Sequence, residues 1–279
     1  MDGGRPSRPP PQPPPHGRPR PARRAHRPTC CNCRRMSSRL QAALGVGALT
    51  VAAGPAVTAI GPLRQRWMRR LSGISSRPHI ALTFDDGPDP VSTPAFLELL
   101  AERQRQATFF VLGSQAVAHP ALVQRIIQEG HELAIHGWIH RCTLTVPPAR
   151  LTRELRDAQR AVEDITNTAV SWYRPPYGVL NTEALLACRN LDLTPVLWTA
   201  WGREWERSAT PTTIVATVTR TLRPGGTILL HDTDLHAPHG DWRHTLHATE
   251  RLLGGPLASA AVGPLRDHWS SGSCENLST

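Results

Sequence analysis

From Pro78 onward, short apolar runs alternate with segments in which apolar residues recur every three or four positions. The runs 79–84, 107–112 and 131–136 are predicted strands, and segments such as 148–165 are predicted helices. Strand and helix alternate about six times in this way. Such alternation favours parallel strands joined by right-handed crossovers, with the helices packed outside the sheet. The sequence therefore predicts an α/β fold built as an open or closed (β/α) barrel.

The composition of the chain is different before Pro78. The first 39 residues are rich in Pro and Arg and cannot bury much apolar surface, so we expect them to be disordered. Residues 40–63 carry no charge and are flanked by Arg, which indicates a signal peptide or a membrane anchor, with a plain linker as the alternative. The predicted segments are a disordered tail (1–39), the signal peptide or anchor (40–63), a basic linker (64–77), a catalytic domain (78–256) and a C-terminal tail (257–279).

The formal net charge of +10 raises the question of a nucleic-acid partner. All 32 basic residues are Arg, and 15 of them lie in residues 1–77 together with a single acidic residue. Residues 78–279 hold 17 Arg and 21 acidic residues, so the predicted domain is mildly acidic. Because a nucleic-acid binder needs a basic patch on its folded domain, we predict no nucleic-acid partner.

Polar residues cluster just after the predicted strands. In a parallel barrel the carboxyl ends of all strands lie at one face, where active sites are built, so residues far apart in sequence are expected to converge there. The clusters are Asp85 and Asp86, His136 and His140, Arg174, Glu204 and Trp205, and His231 and Asp232.

The pair His136 and His140 is the first candidate for a metal site. With one carboxylate, two imidazoles four residues apart form a two-His, one-carboxylate site that leaves positions open for water and substrate. Asp85 and Asp86 are adjacent, and the turn at Gly87 lets them take two roles, one as metal ligand and one as general base. The alternatives are two exposed histidines and an Asx-turn that ends a strand.

Two further residues have the properties of catalytic groups. His231 follows the apolar run 228–230, so its imidazole is expected to be partly shielded from water, as suits a general acid. Arg174 precedes two prolines that stiffen its backbone, and its guanidinium could orient a carboxylate. A surface histidine and a structural ion pair are the alternatives.

Four motifs in this order resemble those of the polysaccharide deacetylases of carbohydrate esterase family four. The motifs are Thr-Phe-Asp-Asp-Gly-Pro (83–88), His-Gly-Trp-Ile-His (136–140), Arg-Pro-Pro-Tyr-Gly (174–178) and Leu-Leu-His-Asp (229–232). The resemblance covers roughly residues 78–255. It implies a distorted or incomplete (β/α) barrel and a divalent metal, usually Zn²⁺, with Co²⁺ as an alternative.

The resemblance also implies a role for each matching residue. Asp85 would be the general base, oriented by Arg174, and His231 would protonate the leaving amine. The backbone N–H of Tyr177 would stabilise the oxyanion. The implied metal ligands are Asp86, His136 and His140, and the implied lining of the acetyl pocket is Leu229 and Trp205.

This chain departs from the family pattern at two positions. Gly137 stands where the family usually has Ser or Thr, which removes a local hydrogen bond but no ligand. Trp201 stands where many members have an Asp that pairs with the catalytic His. Glu204, Asp232 or Asp234 would then have to supply that charge.

The leading functional prediction is a metal-dependent hydrolase that removes N-acetyl groups from an amino-sugar polymer, either peptidoglycan or a chitin-like chain. The alternatives are hydrolysis of acetylxylan or of a small amide or imide, and a catalytically weak carbohydrate-binding homologue. We expect a monomer whose partner is the polysaccharide, with membrane association through residues 40–63. The protein would be exported or membrane-anchored, with its catalytic domain outside the cytoplasm; a cytoplasmic protein is the alternative.

Overall fold

The computed structural model describes residues 54–269. The strands are β1 (Ile80–Asp85), β2 (Thr108–Leu112), β3 (Glu132–Gly137), β4 (Trp172–Tyr173), β5 (Thr194–Pro195), β6 (Ala200–Trp201), β7 (Thr227–His231) and β8 (Val262–Gly263). The α-helices are α1 (Gly61–Trp67), α2 (Thr93–Glu102), α3 (Gly113–Ala118), α4 (Pro120–Gln128), α5 (Pro148–Thr166), α6 (Thr182–Asn190), α7 (Pro211–Thr221), α8 (Trp242–Gly254) and α9 (Leu265–His268). Three short 3₁₀ helices are Gly54–Ala59, Thr143–Thr145 and Pro176–Gly178.

All strand pairs in the described chain are parallel. The strand order is β5-β4-β3-β2-β1-β7-β6, with β8 beside β1, so β5 and β6 form the two open ends. The predicted parallel α/β sheet is confirmed, as an incomplete barrel. The register between β1 and β7 brings two predicted site residues together, because Asp85 at the end of β1 lies directly opposite His231 at the end of β7.

The central strands are buried on both faces, as expected for a parallel sheet covered by helices. Every residue of β1 and β2 is buried. Phe84 packs against Phe96 of α2 and against Phe109 of β2, with ring centroids 5.1 and 5.3 Å apart. The longest helix, α5, buries Leu151, Leu155, Ala158 and Val162, which are spaced to share one face. The core therefore packs around β1, and the carboxyl end of this strand carries Asp85.

The packed body extends beyond the predicted domain bounds of 78–256. In the predicted linker, the Leu71 carbonyl accepts a hydrogen bond from Leu197 N (2.7 Å), and that of Gly73 accepts one from Thr227 Oγ1 (2.7 Å). In the predicted tail, β8 pairs with β1, and Leu265 is fully buried. No helix within residues 54–269 is long and apolar enough to cross a membrane. The predicted disordered tail and residues 40–53 lie outside the described chain.

His131 is a buried histidine whose neutral form is required by its hydrogen bond. Its Nδ1 accepts the backbone N–H of Ala107 at 3.2 Å, and burial lowers its pKa from 6.5 to about 4. Between pH 6.5 and about 4, His131 therefore binds a proton in the unfolded chain but not in the folded chain. We expect the free energy of unfolding to fall by about 3 kcal/mol from this group alone as the pH drops from 6.5 to 4.

His131→Asn isolates this contribution, because the amide oxygen can accept the same N–H and does not titrate. Urea unfolding at pH 7 and at pH 4.5 should show a smaller acid-induced loss in the variant than in the wild type. An identical loss in the two proteins would show that His131 does not carry the effect.

Candidate active site

The predicted site residues converge at the carboxyl ends of the strands, around a cavity of about 400 Å³. Those that line it are Asp85, Asp86, His136, His140, Tyr177, Trp205, Leu229 and His231. Arg174 lies beneath the cavity, fully buried, and contacts Asp85. A wider groove of about 560 Å³ elsewhere on the domain contains none of these residues.

Asp86, His136 and His140 form a compact group of donor atoms. Oδ1 of Asp86 lies 3.2 Å from Nε2 of His136 and 3.6 Å from Nε2 of His140, and the donor atoms are all within 4.8 Å of one another. Oδ1 of Asp86 is buried and makes no hydrogen bond in the described chain. Nδ1 of His136 donates to the carbonyl of Arg174 (2.8 Å), so Nε2 carries the free lone pair that can bind a metal. This donor set fits a divalent cation.

The electrostatics keep these groups in the forms that bind a metal. Burial would raise the pKa of Asp86, but the neighbouring imidazoles, His136 first among them, hold it below the usual range. Burial lowers the pKa of His140 to about 3, although the Asp86 carboxylate opposes this shift. The carboxylate is therefore ionised and the His140 imidazole neutral at pH 7.

The two adjacent acids point to different partners because the backbone turns sharply between them and Gly87. Asp86 has φ of 80°, a value that non-glycine residues rarely adopt. At Gly87 a Cβ atom would lie 2.4 Å from the Asp232 carboxylate, so only glycine fits there. As a result, Asp85 continues along β1 towards Arg174 while Asp86 turns towards the histidines.

Arg174 holds Asp85 in place from below. Its Nη1 donates to Oδ1 of Asp85 at 2.6 Å and to Oγ1 of Thr83 at 2.8 Å. Nε and Nη2 donate to the carbonyls of Val196 (3.3 Å) and Leu197 (3.2 Å). A guanidinium with this many partners has one orientation, so the carboxylate of Asp85 is fixed as well.

His231 is paired with Glu204. Its Nδ1 donates to Oε1 of Glu204 at 2.8 Å, and its Nε2 lies 3.9 Å from Oδ2 of Asp86. Burial would lower the pKa of His231, but the Glu204 carboxylate raises it to about 10. Of the three acids that the sequence offered for this position, Glu204 makes the contact. Asp232 instead accepts a hydrogen bond from the hydroxyl of Thr93, and burial raises its pKa to about 7.

A row of aromatic rings forms one wall of the cavity. Trp198, Trp201 and Trp205 follow one another with ring centroids 5.7 and 5.2 Å apart, and Trp205 lies edge-on to His231 at 5.7 Å. Trp201 pairs with Leu229 across β6 and β7, so both face the same region. Trp201, where the family often has Asp, therefore extends the apolar wall.

His236 is a site residue that the sequence did not reveal. Its ring stacks on that of His140 with centroids 4.6 Å apart and planes 13° apart, and Tyr177 contacts the same ring at 4.5 Å. Tyr177 has φ of 61°, a second left-handed non-glycine residue at the site. The segment after Asp232 has no periodicity, so nothing in its sequence indicated this contact.

A family model described as polysaccharide deacetylase matches residues 72–196. The chain is 38% identical over 156 residues to a chitooligosaccharide deacetylase of Sinorhizobium fredii, an alignment that covers 56% of this chain and 72% of the relative. A chitooligosaccharide deacetylase of a Bradyrhizobium species is 35% identical, with 66% of this chain and 82% of the relative covered. The chain belongs to the polysaccharide deacetylase family.

The fold agrees with this assignment. The crystal structure of a peptidoglycan N-acetylglucosamine deacetylase matches with a TM-score of 0.66 and 27% identity, over 73% of this chain and 95% of the other. The predicted family, the distorted (β/α) barrel and the assignment as a hydrolase of carbon–nitrogen bonds are thus confirmed. This polysaccharide deacetylase is of the chitooligosaccharide and peptidoglycan type, and deacetylases of this family depend on a metal.

Proposed function

We propose that the protein removes N-acetyl groups from an amino-sugar polymer, peptidoglycan or a chitin-like chain, with a metal held by Asp86, His136 and His140. The observation that carries the proposal is the buried, unpaired Oδ1 of Asp86 facing two imidazole nitrogens. Asp86 lines the same cavity as Asp85, whose carboxylate is bound by Arg174, and His231, whose imidazole is bound by Glu204. Metal site, base and acid are therefore within reach of one substrate amide.

The donor set favours Zn²⁺, with Co²⁺ as an alternative, because two imidazoles and one carboxylate suit either ion and leave positions open. When bound, such a metal polarises the substrate carbonyl and acidifies a water molecule. The protein's own contribution to this site is the fixed tautomer of His136 and the ionised Asp86.

Asp85 is the proposed general base. Its Oδ1 is occupied by Arg174, which leaves Oδ2 to accept the proton of the attacking water. Arg174 keeps the carboxylate in one orientation. Because Asp86 is turned towards the imidazoles, the two acids do not compete for one role.

His231 is the proposed general acid. Its Nδ1 is occupied by Glu204, so the remaining proton is on Nε2, the atom nearest Asp86. From there it can be donated to the departing amine nitrogen. The backbone N–H of Tyr177, a residue that also lines the cavity, is proposed to stabilise the oxyanion.

The aromatic wall supports an acetylated sugar as substrate. Leu229 and Trp205 provide an apolar surface for the acetyl methyl group, and the flat faces of Trp201 and Trp198 suit the apolar face of a sugar ring. Relatives named for chitooligosaccharide and peptidoglycan favour N-acetyl amino sugars over acetylxylan.

Hydrolysis of four substrates tests the proposal. Acetate release is measured for a chitooligosaccharide, peptidoglycan and acetylxylan, and ring opening is measured for a small cyclic imide, each with Zn²⁺ or Co²⁺ and with a chelator. We expect metal-dependent release from one of the first two. Turnover of the imide or acetylxylan alone would reassign the substrate, and binding to glycans without turnover would leave a carbohydrate-binding homologue.

His236 is expected to strengthen metal binding through its contact with His140. No hydrogen bond orients the ring of His140 in the described chain, whereas His136 has one to Arg174, so ring packing must hold this ligand. We expect His236→Ala to weaken metal affinity by about tenfold, the lower end of the range for lost supporting contacts, and His236→Phe to retain it.

Competition with a chromogenic chelator measures that affinity directly. His239→Ala is the matched control, because His239 lines the same cavity and faces Arg207 rather than His140. Equal affinities in the two alanine variants would rule out this role for His236. A raised KM with unchanged metal affinity would assign it to substrate binding instead.

A further inference from the structure

The buried side chain of Arg64 attaches helix α1 to the catalytic domain, and Nε2 of Gln65 adds a hydrogen bond to the carbonyl of Thr199 (3.3 Å). Arg64 is only 3% exposed; its Nη2 donates to the carbonyl of Trp198 and its Nη1 to that of Thr58, both at 2.7 Å. Its Nε donates to Oγ of Ser72 at 3.2 Å. These bonds satisfy the guanidinium and fix which side of the helix faces the domain.

The other side of this segment is apolar and exposed. Five of the thirteen large apolar side chains that are exposed in the described chain fall within residues 57–68. They are Val57 (44% exposed), Ile60 (54%), Leu63 (45%), Trp67 (74%) and Met68 (43%). Leu63 and Trp67 are four apart and so share one side of the helix, and Ile60 precedes it directly as the N-cap residue. Single exposed apolar residues are common, but a cluster of this kind marks an interaction surface.

The same segment is basic. Arg66, Arg69 and Arg70 are exposed beside these apolar side chains, and the sequence has no acidic residue between Asp2 and Asp85. Residues 78–279, in contrast, carry a net charge of −4. The basic apolar surface, defined as the exposed residues of 57–70 named above, therefore differs in charge from the rest of the domain.

The chain that leads into this surface is uncharged but short. The uncharged window is 40–63, and its last ten residues, 54–63, belong to the 3₁₀ helix and to α1 on the domain. Fourteen residues, 40–53, remain. A helix that spans a bilayer needs about 20 apolar residues, more than these fourteen. Attachment at the membrane surface fits these lengths better than a span does.

We propose that the basic apolar surface docks the catalytic domain onto a bilayer that contains anionic lipids. Trp67, Ile60 and Leu63 would enter the interfacial layer, where aromatic and aliphatic side chains are favoured. The three arginines would contact the lipid phosphates, to which guanidinium groups bind well. Arg64 holds the surface on the domain, so the active site stays at a fixed position relative to the membrane.

Hydrogen–deuterium exchange of the full-length chain tests this proposal. Exchange is measured with vesicles of phosphatidylcholine alone and with vesicles that also contain phosphatidylglycerol. We expect the amides of 57–70 to exchange about tenfold more slowly with the anionic vesicles than with vesicles of phosphatidylcholine alone. Ile60→Ser/Leu63→Ser/Trp67→Ser should lose that protection, and Arg66→Gln/Arg69→Gln/Arg70→Gln should lose the difference between the two lipids.

Val117→Ser/Leu144→Ser/Leu186→Ser is the matched control, since it removes three exposed apolar side chains elsewhere on the domain. It should behave as the wild type does, and both serine variants should release acetate from a soluble chitooligosaccharide at the wild-type rate. Vesicle binding without protection of 57–70 would overturn the proposal, as would equal protection in the two serine variants. Protection that depends on protein concentration and not on lipid would assign the surface to a second copy of the chain.

Discussion

Asp85→Asn is expected to lower kcat for acetate release by about 10²- to 10⁴-fold and to leave the bound metal in place. The Asn side chain has the same shape and can still accept the hydrogen bond from Arg174, but it cannot take a proton from water. The metal should remain because Asp86, not Asp85, faces the two imidazole nitrogens. Elemental analysis of the purified variant, together with kcat, measures both parts of the expectation.

Asp86→Asn is the matched variant, one position along the chain. It weakens a ligand and leaves the base intact, so metal content should fall together with kcat, and added metal should restore part of the activity. A metal-free Asp85→Asn protein beside a metal-loaded Asp86→Asn protein would show that the two roles are exchanged.

His231→Ala is expected to lower kcat by about 10²- to 10⁴-fold, the usual loss when a general acid is removed. Glu204→Gln should fall between this variant and the wild type, because the amide can still accept the hydrogen bond from Nδ1 but no longer stabilises a charged imidazole. Steady-state kinetics on a chitooligosaccharide, with metal content measured as a control, gives the order of the three proteins. A loss of less than tenfold in His231→Ala would place the acid elsewhere.

The convergence of the site was predictable because it depends only on the strands being parallel. Parallel strands present their carboxyl ends at one face, so polar residues that follow separate strands must meet there. Asp85 and His231, 146 positions apart in sequence, lie opposite each other on adjacent strands. Burial of whole strands such as β1 made those strands visible in the sequence as apolar runs.

Other features depend on contacts that no local pattern encodes. Strands β6 and β8 have two residues each, too few for any alternation to show. Strand β5 ends at Pro195, because the chain beyond it supplies carbonyls to Arg174 and Arg64 instead of continuing the pairing. The positive φ of Asp86 is imposed by the turn around it, and the sequence indicates only that Gly87 permits that turn.

The choice of the acid that pairs with His231 shows the same limit. The sequence did not indicate which of Glu204, Asp232 and Asp234 pairs with His231, since each lies near the end of a strand. Asp232 follows His231 directly, but its carboxylate turns to Thr93 and to the close approach of Gly87. Glu204 reaches Nδ1 of His231 because it follows β6, the strand that pairs with β7.

A metal titration tests whether activity depends on one ion bound by Asp86, His136 and His140. The protein is stripped with a chelator, Zn²⁺ is added in sub-stoichiometric steps, and acetate release from a chitooligosaccharide is followed at each step. We predict that activity is absent in the stripped protein, rises linearly and saturates at about one ion per chain, as one three-ligand site requires. Full activity in the stripped protein, or an unchanged titration in His136→Ala, would contradict a catalytic metal site formed by Asp86, His136 and His140.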